Sequence, residues 1–262
     1  LPVQYGIFIR DVLHGNFGKS YIYGKPAMDL IFERMPATLE LVAVAACLVL
    51  CIAIPLGVYA GAYPKRASSK LIMSGSILGI SLPSFWVGMM MIYIFAVVLR
   101  LLPASGRGNT VMVGNVALSI FAPGGIRYVI LPAITLALTN VATMLRLTRS
   151  GILENMRQDY IKFARAKGVP AKSILFGHAL KNALIPVVTI FGMDLGNMIA
   201  FTTITETIFA WPGMGKLLID AINKSDRPII VAYLMAAACM FVVLNFIVDI
   251  LYTLIDPRIE LR

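Results

Sequence analysis

Acidic residues, histidine and cysteine are all scarce in this 262-residue chain: Asp and Glu together number 13, beside 2 His and 3 Cys. Charged residues of both signs reach only 14%, against 59% hydrophobic. That balance excludes an ordinary soluble domain. Cys47, Cys51 and Cys239 all fall in apolar runs, where cysteine acts as a small apolar side chain, so no disulfide framework or metal site is expected. With the long apolar runs between them read as membrane spans, His14 and His178 are assigned to opposite sides of a bilayer. They cannot share a metal, and neither has the company that a hydrolytic site needs. A complete phosphate-binding loop is missing too. Gly15-Asn-Phe-Gly18-Lys19-Ser20 has the ending of one, but Leu13 stands where its first glycine belongs.

Long apolar runs are abundant, and the mean hydropathy is +0.83. Five runs are long enough to cross about 30 Å of hydrocarbon at roughly 20 residues each. They are Thr38 to Ala62, Leu71 to Leu99, Ile126 to Leu145, Ala183 to Thr205 and Ile229 to Ile255. The second and last exceed the minimum, which predicts tilt or a kink. Pro55, Pro83, Pro132 and Pro186 lie in or at the ends of runs, where packed neighbours must repair lost backbone bonds. The net charge of +10 reads as membrane topology rather than nucleic-acid binding, because the basic residues sit beside the spans. Lys65, Arg66 and Lys70 share one tight loop without an acid. Arg146, Arg149, Arg157, Lys162, Arg165, Lys167, Lys172 and Lys181 crowd another. Both loops, and with them the tail 256–262, are assigned to the cytoplasm and the N-terminal region to the outside. Arg100, Arg107 and Arg127 run against this rule, in a loop assigned outside.

The most informative stretch is Asp159-Tyr-Ile-Lys-Phe-Ala-Arg-Ala-Lys-Gly168, followed by Val169-Pro170 and His178-Ala-Leu-Lys-Asn-Ala-Leu-Ile-Pro186. Asp159 is a good N-cap, Lys167 suits a helix C-terminus, Gly168 can take the left-handed C′ position, and Pro170 forbids continuation. A capped helix on the order of 12 Å long is expected between two spans, sized to be a rigid knob for a cytosolic partner. This stretch resembles the "EAA" loop of ATP-binding cassette importer permeases, in the form of the dipeptide, oligopeptide and nickel group. The resemblance runs from about Phe17 to Arg258. It includes Arg34-x-Pro-Ala-Thr-Leu-Glu40, Leu147-Thr-Arg-Ser150, Pro186-Val-Val-Thr189, Glu206-Thr-Ile-Phe209, Trp211-Pro-Gly-Met-Gly215 and Asp256-Pro-Arg258. Against the general importer motif, Lys162, Phe163, His178 and Lys181 depart in the way the peptide and nickel branch does.

The resemblance implies an all-α, polytopic helical bundle like a type I importer permease, with five spans in these residues and a sixth preceding them, since Leu1 follows neither a Met nor a signal peptide. The expected organisation is an external segment 1–37 with a short amphipathic helix at Val3 to Leu13, then a permease domain 38–262. That domain would carry a cytoplasmic coupling loop at 146–182 and an external or re-entrant loop at 206–228, with a short helix near Lys216 to Ile222. The implied function is the permease subunit of an ATP-driven importer of di- or oligopeptides in the bacterial inner membrane, with nickel or glutathione as in-family alternatives. A self-sufficient secondary transporter or intramembrane hydrolase is the competing class, but neither inverted repeats nor a catalytic pair supports it. The implied partners are a second permease, two cytosolic ATPase subunits that bind ATP and Mg, a solute-binding protein and the bilayer, without nucleic acid. No cofactor or catalytic residue is expected in the chain itself.

Candidate site residues fall in three groups. Asp159, Tyr160, Phe163, Ala164, Arg165, Ala166, Lys167 and Gly168 are assigned to ATPase coupling. Phe163 is the expected aromatic anchor; the alternative is that Tyr160 and Phe163 fold back on the membrane face of their own loop. Asp194, Asn197 and Asn140 are candidates for the pathway, because an intramembrane carboxylate usually faces a wet cavity or a partner; an interhelical hydrogen bond is the other reading of Asp194. Trp211, Pro212 and Gly213 are candidates for receptor docking, or else for a lid that packs the bundle. Gly57-x-x-x-Gly61, Gly75-x-x-x-Gly79 and Gly192-x-x-x-Gly196 are expected at close helix packing.

Overall fold

The computed structural model describes residues 5, 6, 9, 10, 12, 14–114 and 116–255. The tail Asp256 to Arg262 lies outside the described residues, as does much of the expected amphipathic helix at Val3 to Leu13. The chain is helical, in the order α1 (Ala27–Ala62), α2 (Ala67–Ser81), α3 (Ser84–Val98), α4 (Ile126–Asn155), α5 (Asp159–Ala166), α6 (Ala171–Ile208), α7 (Met214–Asn223) and α8 (Arg227–Ile255). Four of these, α1, α4, α6 and α8, are each long and apolar enough to cross a membrane, and α2 with α3 gives a fifth, broken span.

The break follows from Pro83. A residue before proline is driven out of the α region, and Leu82 is extended at φ −87°, ψ 130°. The two halves are bent by 105°. Pro132 and Pro186, by contrast, stay inside α4 and α6. α3 also widens at its end, where Leu99 N–H donates to Ile94 O at 2.9 Å, the i→i−5 pattern of a π turn. A second π stretch, Ile174–Ala179, lets α6 run unbroken from Ala171 into the span. α1 begins at Ala27, well before the expected Thr38. Asp29, Glu33 and Arg34 lower the hydropathy of its first turns without interrupting the helix.

The chain divides into two units. The first comprises Leu1–Ala43, Gly88–Pro132 and Met198–Val242. Its core packs Ile31, Met214, Leu217, Ile229 and Ala232 together. Between α3 and α4 this unit carries a hairpin that the sequence reading lacked, β1 (Val111–Val113) against β2 (Val116–Leu118), antiparallel with Met112 opposite Ala117. The second unit comprises Val44–Val87, Ala133–Asn197 and Val243–Arg262. Here the Gly57-x-x-x-Gly61 spacing lies at a close helix crossing. A Cβ on Gly57 would lie 2.6 Å from Thr148 Cβ, and one on Gly61 2.7 Å from Ile152 Cβ. Gly192 is likewise closed in by Val248, whereas Gly75 faces open space. Only 22% of the apolar window of α8 is buried within the chain, so most of its apolar surface is left for lipid or another chain.

Candidate partner-coupling site

α5 is the short helix expected between Asp159 and Gly168, and local hydrogen bonds fix both its ends. Its N-cap is Gln158, extended at φ −66°, ψ 154°, with no side-chain cap. Asp159 is thus the first helical residue rather than the cap, a correction to the sequence expectation. Its carboxylate serves the helix differently: Lys162 Nζ donates to Oδ1 at 2.8 Å, which holds the Asp159 carboxyl below the usual carboxylate range. At the other end Gly168 has φ +78°, Val169 N–H donates to Ala164 O at 3.1 Å and Gly168 N–H to Arg165 O at 3.0 Å. Those two bonds make a Schellman motif. It stops the helix where Gly168 and Pro170 predict.

The two faces of α5 differ sharply. Ile161 is fully buried among Val58, Ile152, Ile174, Ala179 and Ala183, with Ala164 and Val169 packed alongside. Tyr160 is clamped by its hydroxyl, which donates to Asn155 Oδ1 at 2.8 Å and accepts from Asn182 Nδ2 at 3.0 Å. Phe163 is left outside, 61% exposed, with Lys167 Nζ 4.5 Å from its ring centroid. Arg165, Ala166, Lys167 and Gly168 are exposed as well. The fold-back alternative therefore splits. Tyr160 is tied to its own chain, and Phe163 is the free aromatic.

The pathway candidates are only partly brought together. Asp194 is half-buried on α6 and hydrogen-bonded to Asn197 one turn on. Asn140 turns back to Leu136 O on its own helix. In the first unit, Trp211 and Gly213 are buried and Pro212 is half-buried. Trp211 Nε1 donates to Ala37 O at 2.8 Å, and a Cβ on Gly213 would run into the Glu206 carboxylate. These side chains pack the loop; its exposed residues are Thr207, Ala210, Arg227 and the run 222–225, where α7 ends.

Sequence reasoning missed the buried carboxylates that build the first unit. Glu40 accepts from Arg107 Nε and Nη2, from Ser119 N and Oγ, and from Ile120 N. Glu206 accepts from Thr38 Oγ1 at 2.6 Å and from Lys216 N at 2.9 Å, while Thr38 Oγ1 also receives Met214 N–H at 2.9 Å. Asp226 accepts from Ser20 Oγ at 2.5 Å and from Tyr21 N. The false phosphate loop thus ends in a structural serine. The signal was available: Glu40 is an acid inside an apolar run, and such residues need named partners.

A bundle of long apolar helices with a small capped helix between two of them is the fold of a type I importer permease. A solved chain of the MetNI methionine ABC transporter, in an inward-facing form, shares it with a TM-score of 0.67 at 16% identity, over 87% of this chain and 97% of that one. An amino acid ABC transporter gives 0.55 at 14% identity, over 88% and 94%. The chain belongs to the family of binding-protein-dependent transport system inner membrane components, whose model matches residues 53–261. It is 40% identical over 98% of its length to the oligopeptide transport system permease protein AppB of Bacillus subtilis (strain 168), covering 80% of that protein. It is 37% identical to the dipeptide transport system permease protein DppB of Alkalihalophilus pseudofirmus, over 98% of this chain and 81% of that one. The di/tripeptide permease DppB of Pseudomonas aeruginosa is 38% identical, with 98% and 80% covered.

Proposed function

We propose that this chain is one of two permease subunits forming the route of an ATP-driven importer for di- or oligopeptides, in the bacterial inner membrane. The observation that carries the reading is the exposed Phe163, held outward on a helix whose opposite face is buried through Ile161 and whose first turn is tied by the Tyr160 hydroxyl, in a chain alike over its length to peptide permeases. An aromatic presented this way fits a groove on a cytosolic ATPase, and a buried aromatic often carries much of an interface's energy. Hydrolysis then belongs to the partner, which binds ATP and Mg. This chain's part is to convert movement of α5 into movement of α4 and α6, which flank it in sequence, so that access switches from one side to the other. Solute would be delivered by a binding protein on the outer side. The route passes Asp194 and Asn197, with Asn140 as a further lining residue. There a half-buried carboxylate can meet a peptide's amino group. The test is co-purification followed by uptake into proteoliposomes. A second permease and ATPase chains should accompany this chain, and peptide uptake should need ATP. A chain that moves solute alone would end the reading. Asp194→Asn should slow uptake of peptides with a free amino terminus more than of N-acetylated ones; equal effects would remove Asp194 from the route.

A further inference from the structure

The segment 99–127 contains Arg100, Arg107 and Arg127 and no acidic residue. Arg107 is neutralised by Glu40. The other two side chains have no carboxylate or hydrogen-bond partner among the described residues, and both line one cavity of about 500 Å³ with Gly108, Asn109 and Tyr128. Its walls are built for close approach. Gly108 has φ +70°, and a Cβ there would lie 2.7 Å from the Tyr128 ring. Arg100 itself holds φ +52° just past the end of α3, a conformation that glycine adopts freely and an L side chain resists. That arginine is held in a strained backbone while its guanidinium does nothing for the fold. Arg127 stands in the first turn of α4, which has no acid of its own. Both arginines are exposed, and an anion entering the cavity they line can accept charge-assisted hydrogen bonds from each.

The surroundings choose the anion. Leu101 in the cavity lining is 62% exposed, and Val98, Leu99, Phe121 and Ile126, within two residues of the lining in sequence, are 49–63% exposed. A charged cavity bordered by bare apolar side chains matches an amphiphile, head in the cavity and chains along the helices. We infer that Arg100 and Arg127 form a site for the phosphate of an anionic phospholipid. It lies at the interface where the span α4 begins, next to Arg127. The site would tie the loop between α3 and α4 to the bilayer.

The test uses the full permease complex, purified in detergent, with phosphatidylglycerol, phosphatidylcholine and soluble glycerol phosphate as probes and native mass spectrometry as the readout. The wild type should hold one phosphatidylglycerol more tightly than phosphatidylcholine by about tenfold, as two basic contacts to an anionic headgroup allow. R100Q/R127Q should lose that one molecule while the complex is recovered in equal yield, and R100K/R127K should keep it. Glycerol phosphate should not displace it at matching concentration. Equal retention by the glutamine pair overturns the site, and displacement by glycerol phosphate overturns the lipid as its ligand. Neither readout depends on peptide uptake, so failure here leaves the transport reading standing.

Discussion

A side chain added at position 168 would meet no atom within 4 Å, so only the backbone at φ +78° resists substitution there. Gly168→Val should therefore lose ATP-driven uptake by re-aiming α5, because a β-branched residue is poorly tolerated in the left-handed region. Gly168→Asn should retain most of it, since asparagine accepts that conformation. Uptake assays on the two variants check this; equal loss in both would mean that bulk, not backbone, matters. Phe163 and Ile161 separate two other roles on the same helix. Phe163→Ala should leave the permease as stable as before but release the ATPase subunits, by roughly 2 kcal/mol or about thirtyfold in affinity for a hot spot. Ile161→Ala, which empties a fully buried position, should instead lower the permease's own stability by about 2–5 kcal/mol. Thermal unfolding of the permease beside ATPase retention on the column reads both. Should Phe163→Ala melt the permease and keep its ATPases, the outward-anchor assignment fails.

At the scale of elements, the loop between α3 and α4 is fastened to α1 by a buried ion pair. Arg107→Ala strips the counter-charge from the fully enclosed Glu40 side chain, and breaking a pair of this kind typically costs about 3–5 kcal/mol. We expect 99–125 to become protease-sensitive in Arg107→Ala, with partial rescue by adding Glu40→Gln, since the double variant leaves no lone buried charge. Limited proteolysis of the three variants measures it; additive damage would show that the two residues act separately. The same elements show how far the sequence could be read. α5 was legible to a residue or two because Gly168, Val169 and Pro170 write its end locally. The short helix after Trp211 was legible for the same reason, whereas the kink expected in the second run was not placed at Pro83, which was named on equal terms with Pro55, Pro132 and Pro186, all three of which stay inside helices. The ion pair was not, because Glu40 meets Arg107 across 67 positions and Ser119 across 79, and a hydropathy scan carries no register for such pairings. Nor could local signals show that Trp211 is enclosed against Ala37, 174 positions away, when the same tryptophan in an open loop would offer a docking surface. The start of α1 was misplaced because charged first turns look like a connector until Ile31 and Leu30 are seen packing on α7 and α8.

For the whole molecule, the bent pair α2 and α3 leaves two topologies that its shape alone does not separate. If the pair crosses the membrane, the tight loop at 63–66 and the loop containing α5 share a side, and 99–125 lies on the other. If it enters and leaves on one face, then 63–66 and 99–125 share a side, and α4 carries the loop containing α5 across to the opposite one. We propose the crossing form, on the distribution of charge. Lys65, Arg66 and Lys70 lie at one end of the pair, and Arg157, Lys162, Arg165, Lys167 and Lys172 surround α5, so crossing keeps both basic loops in the cytoplasm as the positive-inside rule requires. The re-entrant alternative would export one of them. The arginines of 99–127 do not outweigh this, since they number three against the eight basic residues named on the other two loops. In a background with Cys47, Cys51 and Cys239 replaced, Ser68→Cys and Lys172→Cys should be silent to an impermeant thiol reagent on intact cells and react only after permeabilisation. Ser105→Cys should react from outside in intact cells. All three positions are exposed, so access to each thiol is set by the bilayer and not by packing within the chain. Labelling of Ser68→Cys with Ser105→Cys in intact cells would establish the re-entrant form, and it would move α5 away from any cytosolic ATPase.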